Sequence, residues 1–192
     1  MIHPSKIIHE LGIAPLKKLG QNFQIDTHVV ANMASLIPSD AKILEIGPGL
    51  GAWTEVFLQR GHSMVLVEKD RTLAARLLTV YENNKKVEVV EGDFLAMPFD
   101  VPPISMTTAA VGNLPFYITS ELLLRLIADC TFIKYGLFGV QLEVAERIAA
   151  AKGSSLAIAL NAHGKLTLAG RIARTSFYPI PAVDAAILFF HR

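Results

Sequence analysis

The chain has 192 residues, 52% of them hydrophobic and 18% charged, with 18 Lys and Arg against 17 Asp and Glu for a net charge of +1. A single domain of this length buries roughly 70% of its unfolded surface, and so low a charged fraction excludes a disordered chain or a solvated rod. The near-neutral balance also excludes a broadly basic coat for nucleic acid, which leaves local patches for any RNA or DNA contact. One cysteine, Cys130, rules out a disulfide framework and a Cys-rich zinc site and fits a reducing compartment. The six histidines, His3, His9, His28, His62, His163 and His191, have no metal-ligand spacing, so no metal is expected. No secretory signal is visible at the N-terminus and no apolar run reaches about 18 residues, so the expectation is a cytoplasmic α/β domain without a membrane span.

A short amphipathic piece (Ile7, Ile8, Leu11) precedes Pro15 and the pair Lys17-Lys18, and residues Thr27 to Leu36 have apolar positions at helical spacing up to Pro38. Strand-like and helix-like segments then alternate. Strands are predicted at Lys42–Ile46, Ser63–Glu68, Val87–Glu91, Thr108–Gly112 and Tyr135–Gln141. Helices are predicted at Ala52–Arg60, Arg71–Tyr81, Ile118–Ile127 and Glu143–Ala151. Leu156–Ala162 reads as a sixth strand, and Leu166–Arg174 and Val183–Phe190 as the last two. Such alternation predicts a parallel sheet with helices on both faces, and the strand-rich end predicts an antiparallel edge hairpin. Ligands bind such sheets beyond the carboxyl ends of the strands, so the chemistry belongs at the strand-to-loop junctions.

The first junction is Glu45-Ile46-Gly47-Pro48-Gly49-Leu50-Gly51, an acid at a strand end followed by a G-x-G-x-G turn and a helix. Glycines there let backbone N–H groups approach an adenosyl cofactor, although a tight strand–helix connection needs them too. The spacing differs from the dinucleotide G-x-G-x-x-G. Glu68 ends the second strand about 20 residues further on, where an acid accepts both ribose hydroxyls. Asp93, in Glu91-Gly92-Asp93, stands at the third junction, where it either accepts from an adenine amine or caps a turn. Dinucleotides and S-adenosylmethionine both remain open as ligands at this point.

The fourth junction, Asn113-Leu114-Pro115-Phe116, separates them. An exocyclic amine on a planar base is a poor nucleophile, because its lone pair is delocalised into the ring. The Asn113 side-chain oxygen and the Leu114 carbonyl can hold its two N–H bonds out of plane and localise that pair toward a methyl donor. Pro115 stiffens the turn and has no N–H to compete. Phe116 offers a stacking face to an extruded base, worth about 1–3 kcal/mol.

Taken together, these residues resemble the ribosomal RNA adenine dimethyltransferase family, which methylates small-subunit rRNA, and its Erm relatives. The matching pieces are Leu19-Gly20-Gln21-Asn22-Phe23, the glycine turn, Val67-Glu68-Lys69-Asp70, Glu91-Gly92-Asp93 and Gly112-Asn113-Leu114-Pro115-Phe116. Gln141-x-Glu143-Val144-Ala145-x-Arg147 and Phe177-x-Pro179-x-Pro181-x-Val183-Asp184 match as well. The resemblance implies a Rossmann-like class I methyltransferase, with a mostly parallel seven-stranded sheet, an antiparallel edge strand and helices on both faces. It implies that residues 1–26 close over the cofactor site of a methyltransferase domain at 27–192. Gln21 and Asn22 would cover the methionine end of S-adenosylmethionine, Gly47 would lie beneath it, Glu68 would hold the ribose and Asp93 the adenine amine. Asn113 and Leu114 would orient the target amine, with Phe116 and Phe177 on opposite faces of the target adenine.

The implied activity is N6,N6-dimethylation of adenosines in small-subunit rRNA, naked or in a pre-assembled subunit, by a monomer. Family members usually continue into a small helical domain, most or all of which the resemblance implies this chain lacks. Gln24 stands where Leu is usual, and Phe116 replaces the commoner Tyr. Lys6, Lys17, Lys18, Arg171 and Arg174 are candidate phosphate contacts around the base pocket. Three rival readings differ in kind. A DNA or free-base amino-methyltransferase would share the catalytic loop, and a nicotinamide oxidoreductase would share only the glycine turn. A non-catalytic ribosome-assembly or transcription factor would keep the fold and bind equally well after Asn113→Ala.

Overall fold

The apolar runs of the sequence become a central sheet buried on both faces. A computed structural model describes residues 4–10, 12, 15, 20–150 and 154–192. In chain order the elements are α1 (Pro4–Glu10), β1 (Phe23–Gln24), α2 (His28–Met33), β2 (Ile43–Ile46), α3 (Ala52–Gln59), β3 (Met64–Glu68), α4 (Arg71–Val80) and β4 (Val87–Glu91). β5 (Ala109–Asn113), α5 (Thr119–Leu124), β6 (Tyr135–Gln141), α6 (Leu142–Ala149), α7 (Ser155–Asn161), β7 (Lys165–Ile172), β8 (Phe177–Tyr178) and β9 (Ala185–His191) follow.

Seven strands form one sheet in the order β4-β3-β2-β5-β6-β9-β7. The first five are parallel, whereas β9 runs antiparallel to both β6 and β7 and so makes the expected antiparallel pair at that edge. Successive residues of one strand enter different cores, as the period of two requires. Leu44, Ile46, Val65 and Val67 pack on one side, while Ile43, Met64, Leu66 and Val111 pack on the other. Each fully buried aliphatic side chain of this kind contributes roughly 1.5–3 kcal/mol. Strand order reverses at β2, which pairs with β3 on one side and β5 on the other. The carboxyl ends of β2 and β5 therefore flank the switch point where a ligand crevice opens.

Two expectations change, and a third falls outside the described residues. The segment Leu156–Ala162 is helical rather than a strand. The Ser154 side chain accepts the Ala157 N–H at 3.1 Å, capping α7, and Ala157 and Leu160 are buried while Ile158 is exposed. A cap plus burial three residues apart outweighs the strand-like look of a short apolar run. The helix expected at Ile118–Ile127 is α5 followed by a wider turn over Arg125–Asp129, where the Cys130 N–H reaches back five residues to the Arg125 carbonyl. The expected end of α6 at Ala151 lies outside the described residues.

Two short strands had no counterpart in the sequence pattern. β1 and β8 form a separate two-stranded ribbon, with Phe23 opposite Tyr178 and Gln24 opposite Phe177. It fastens the segment ahead of the sheet to the turn after β7. Cys130 is buried, and burial pushes its thiol up to about 12, as befits a small apolar residue. Among the described residues no helix is long and apolar enough to cross a membrane, and no group of three or more His, Cys, Asp and Glu converges to hold a metal.

Candidate active site

The turn after β2 is built by glycine. Gly47 has a φ of +63°, and a Cβ on it would meet nothing within 4 Å, so its open face looks into the pocket. The turn is held from behind by Glu68 at the end of β3. One carboxylate oxygen accepts the Gly49 N–H and the other the Asp70 N–H, each at 2.9 Å. Burial raises the Glu68 carboxyl above its ordinary range, and these two backbone donors pull it only part of the way back. Both oxygens keep a second lone pair for a ligand hydroxyl.

Beneath the turn lies a second acid, Glu45, which receives the Thr54 hydroxyl at 2.7 Å. Burial pushes its carboxyl from 4.5 up to about 8, so it is protonated at neutral pH. Its proton lets a carboxyl sit in the core without an unpaired charge. At the next junction one Asp93 oxygen pairs with the Lys69 ammonium at 2.7 Å and the other accepts the Leu95 N–H at 3.1 Å. The Lys69 hydrogen bond holds Asp93 below the usual carboxylate range and Lys69 above its own.

Residues 20–24 cross the pocket as a strap. Gln21 donates to Asp70 at 3.0 Å on one side, and the Asn22 carbonyl accepts from the Asn113 side-chain amide at 3.2 Å on the other. Phe23 packs with Leu73 and Ile8. Gln24 is buried, accepts the Trp53 indole N–H at 2.7 Å and donates to the Asp26 carbonyl at 2.7 Å. The strap is thereby fixed to α3 and to the loop that precedes α2.

β5 ends at Asn113. The Leu114 N–H donates to the Gly139 carbonyl at 2.9 Å, which sets the turn against β6. With its amide nitrogen committed to Asn22, Asn113 leaves its side-chain oxygen buried and without a hydrogen-bond partner. Gly139 makes room for that oxygen. A Cβ on Gly139 would stand 2.8 Å from Asn113 Oδ1 and 3.3 Å from the Trp53 ring.

The structure thus brings Gln21, Asn22, Gly47, Glu68, Asp93 and Asn113 around one pocket. Leu114 adjoins it with a buried side chain. Phe116 is half-buried against the core cluster that includes Trp53, and Phe177 lies in that cluster at 1% exposure. Neither ring lines the pocket. Trp53 and the exposed Tyr117 at the pocket wall, and Gly139 behind Asn113, were not singled out by the sequence, and Gln24 stood out there only for replacing the usual Leu. Of the candidate phosphate contacts, Lys17 and Lys18 lie outside the described residues and Lys6 is exposed on α1. Arg171 pairs with Glu146 at 2.8 Å, and Arg174 is exposed with its backbone N–H bonded to Asp184.

Residues 16–192 match the family model described as ribosomal RNA adenine dimethylase. A relative from Pelotomaculum thermopropionicum, named ribosomal RNA small subunit methyltransferase A, is 38% identical over 200 residues covering 95% of this chain and 68% of its own. One of the same name from Rhodococcus erythropolis is 34% identical, covering 97% of this chain and 66% of its own. The chain spans about two thirds of the length of such relatives. Among solved structures, the 23S rRNA methyltransferase ErmE superposes with a TM-score of 0.77 at 29% identity, covering 89% of this chain and 70% of that one. A dimethyladenosine transferase from Plasmodium falciparum gives 0.73 at 27% identity, covering 88% and 62%. With a family model matched from residue 16 to the last residue and relatives above one-third identity, this chain belongs to the ribosomal RNA adenine dimethylase family.

Proposed function

We propose that the chain transfers methyl groups from S-adenosylmethionine to N6 of adenosines in small-subunit ribosomal RNA, twice on one nitrogen. The observation that carries this reading is Asn113 Oδ1, a buried acceptor without a donor beside a glycine turn backed by an acid. Leaving such an atom unsatisfied costs about 1–3 kcal/mol, and a ligand N–H relieves that cost.

The residues present suit that cofactor. Gly47 leaves open space beneath a ligand, Glu68 has lone pairs for two ribose hydroxyls, and Asp93 can accept an adenine amine beside Lys69. Gln21 and Asn22 strap the methionine end, which supports a covering role for residues 1–26 and a methyltransferase domain at 27–192. When bound, S-adenosylmethionine supplies an electrophilic methyl on a positively charged sulfur.

The chain's own contribution is orientation. Asn113 Oδ1 and the Leu114 carbonyl accept the two N–H bonds of the target amine and turn its lone pair out of the ring plane. The same acceptors stabilise the positive charge that develops on nitrogen as the methyl arrives. The proton then leaves late, to water, so no strong base is needed in the pocket. A target adenine stacked between Phe116 and Phe177 requires the buried Phe177 ring to open toward the pocket as the base enters. The reaction is placed in the cytoplasm, with a monomer as the working unit.

The test is transfer of labelled methyl to small-subunit rRNA by the wild type and by Asn113→Ala. Transfer by the wild type that falls at least 100-fold in the variant is expected. RNA binding with no transfer by the wild type would leave the non-catalytic factor as the better reading.

A further inference from the structure

The five parallel strands begin at the end of the sheet opposite the pocket, and that end carries a row of cations. Backbone hydrogen bonds trace the row from strand to strand. The Lys86 carbonyl accepts from Met64 at 2.7 Å, the Ser63 carbonyl from Ile43 at 2.9 Å and the Lys42 carbonyl from Thr108 at 2.9 Å. The Thr108 carbonyl accepts from Lys134 at 2.8 Å and the Lys134 carbonyl from Arg192 at 2.9 Å. Lys165, opposite His191 in the β7–β9 register and so level with Tyr135, adds a further cation one residue inside the row at the sheet edge. Each of the seven strand ends is therefore basic except two, which carry the hydroxyls of Ser63 and Thr108. At about 4.8 Å between neighbouring strands, the row is about 29 Å long.

None of these charges meets a carboxylate among the described residues, and three of them are held in place by backbone carbonyls. Lys86 donates to the Gly61 carbonyl at 2.9 Å and Lys134 to the Thr131 carbonyl at 3.0 Å. The Arg192 guanidinium donates to the carbonyls of Ile127, Ile133 and His163. The ion pairs among the described residues, Lys69–Asp93, Arg71–Glu91 and Arg171–Glu146, all lie toward the pocket end. Asp40, Glu82, Glu88 and Asp129 are the carboxylates nearest the row in the chain, and none of them pairs with it among the described residues. Since the whole chain carries only +1, the row is a local concentration of charge.

We propose that this end of the sheet is a second RNA-contacting surface, binding the phosphate backbone of folded ribosomal RNA while the pocket takes the target base. The proposal rests on the reading of the chain as acting on ribosomal RNA. A line of uncancelled lysines matches a repeating polyanion, and each phosphate it neutralises releases counterions. Such contacts fix orientation and carry no base sequence.

The experiment replaces Lys86, Lys134 and Lys165, all exposed, by Gln in one variant and by Arg in another. Binding of a small-subunit rRNA fragment is measured against salt, with cofactor affinity and methyl transfer at saturating RNA in parallel. Loss of three duplex phosphate contacts lowers the slope of log K against log salt by about 2.7, at roughly 0.9 per contact. RNA affinity at low salt is expected to fall at least tenfold in the Gln variant and to return in the Arg variant, with cofactor affinity unchanged. A Gln variant with wild-type affinity and slope, in a chain that methylates RNA, overturns the surface and leaves the catalytic reading intact. A lowered slope in a chain that transfers no methyl keeps the surface and overturns that reading. A wild type that binds no RNA overturns both.

Discussion

Gly139→Ala tests the geometry around Asn113 without removing any group that touches a substrate. The new Cβ would stand 2.8 Å from Asn113 Oδ1, where ordinary contact begins near 3.4 Å, so the amide oxygen must retreat by about 0.6 Å. The backbone has little room to share the shift. Asn113 and Gly139 are register partners in the β5–β6 ladder, and the Cβ would also meet Asn113 Cα at 3.2 Å. Turning the amide strains its bond to the Asn22 carbonyl, already long at 3.2 Å. A displacement near 1 Å costs on the order of 100-fold in rate, so a loss of about 10- to 100-fold is expected. Overpacking of this size costs about 1–3 kcal/mol and lowers Tm by several degrees, short of unfolding the chain. The assay is single-turnover methyl transfer at saturating RNA and cofactor, with the cofactor Kd measured separately and expected within about threefold of wild type, as Gly47 and Glu68 are untouched. A rate within twofold of wild type, in a variant whose Tm shows the strain, would refute the claim that the Asn113 oxygen sets the rate.

Three further outcomes are expected. Gln24→Met leaves the Trp53 indole N–H buried without an acceptor, costing about 1–3 kcal/mol and lowering Tm by roughly 2–4 °C per kcal/mol. Trp53 is the single tryptophan, so its emission maximum should shift; an unchanged spectrum would count against the bond. Glu45 stays protonated in the fold up to about 8 but ionises near 4.5 when unfolded, so the unfolded chain holds fewer protons and stability falls as pH rises through that interval. Glu45→Gln should remove most of that fall, with Glu68 leaving a remainder in the same direction; identical slopes of Tm against pH would refute the buried neutral acid. Asp93→Asn breaks a largely solvent-exposed pair with Lys69 and should move Tm by less than about 2 °C, yet weaken cofactor binding at least tenfold by calorimetry. Unchanged affinity would take Asp93 out of the adenine site.

The four junctions were legible because each is a short local pattern: glycines at a strand end, one acid after each of the next two strands, and Asn-Leu-Pro-Phe after the fourth. The parallel order followed from the alternation of strands and helices. Contacts between distant segments left no such trace. Gln24 on β1 meets Trp53 on α3 across 29 residues of chain, and two-residue strands such as β1 have no periodicity to read. Gly139 looks like an ordinary strand glycine until the β5–β6 register puts it against Asn113. The apolar run at Leu156–Ala162 misled because strand and helix are indistinguishable over seven residues unless the Ser154 cap is weighed. Phe177 stands beside Pro-rich sequence that suggests an open loop, whereas its strand with Gln24 holds the ring in the core. The cation row was hidden because its members are scattered through the chain and gathered only by the common direction of the strands.

The most direct measurement is nucleoside mass spectrometry on small-subunit rRNA, naked and in assembled particles, after incubation with the chain and S-adenosylmethionine. The expected result is N6,N6-dimethyladenosine from the wild type and none from Asn113→Ala, with cofactor still bound by both. Equal yields from the two proteins, or no methylated adenosine from a wild type that binds both cofactor and RNA, would contradict catalysis at the Asn113 loop.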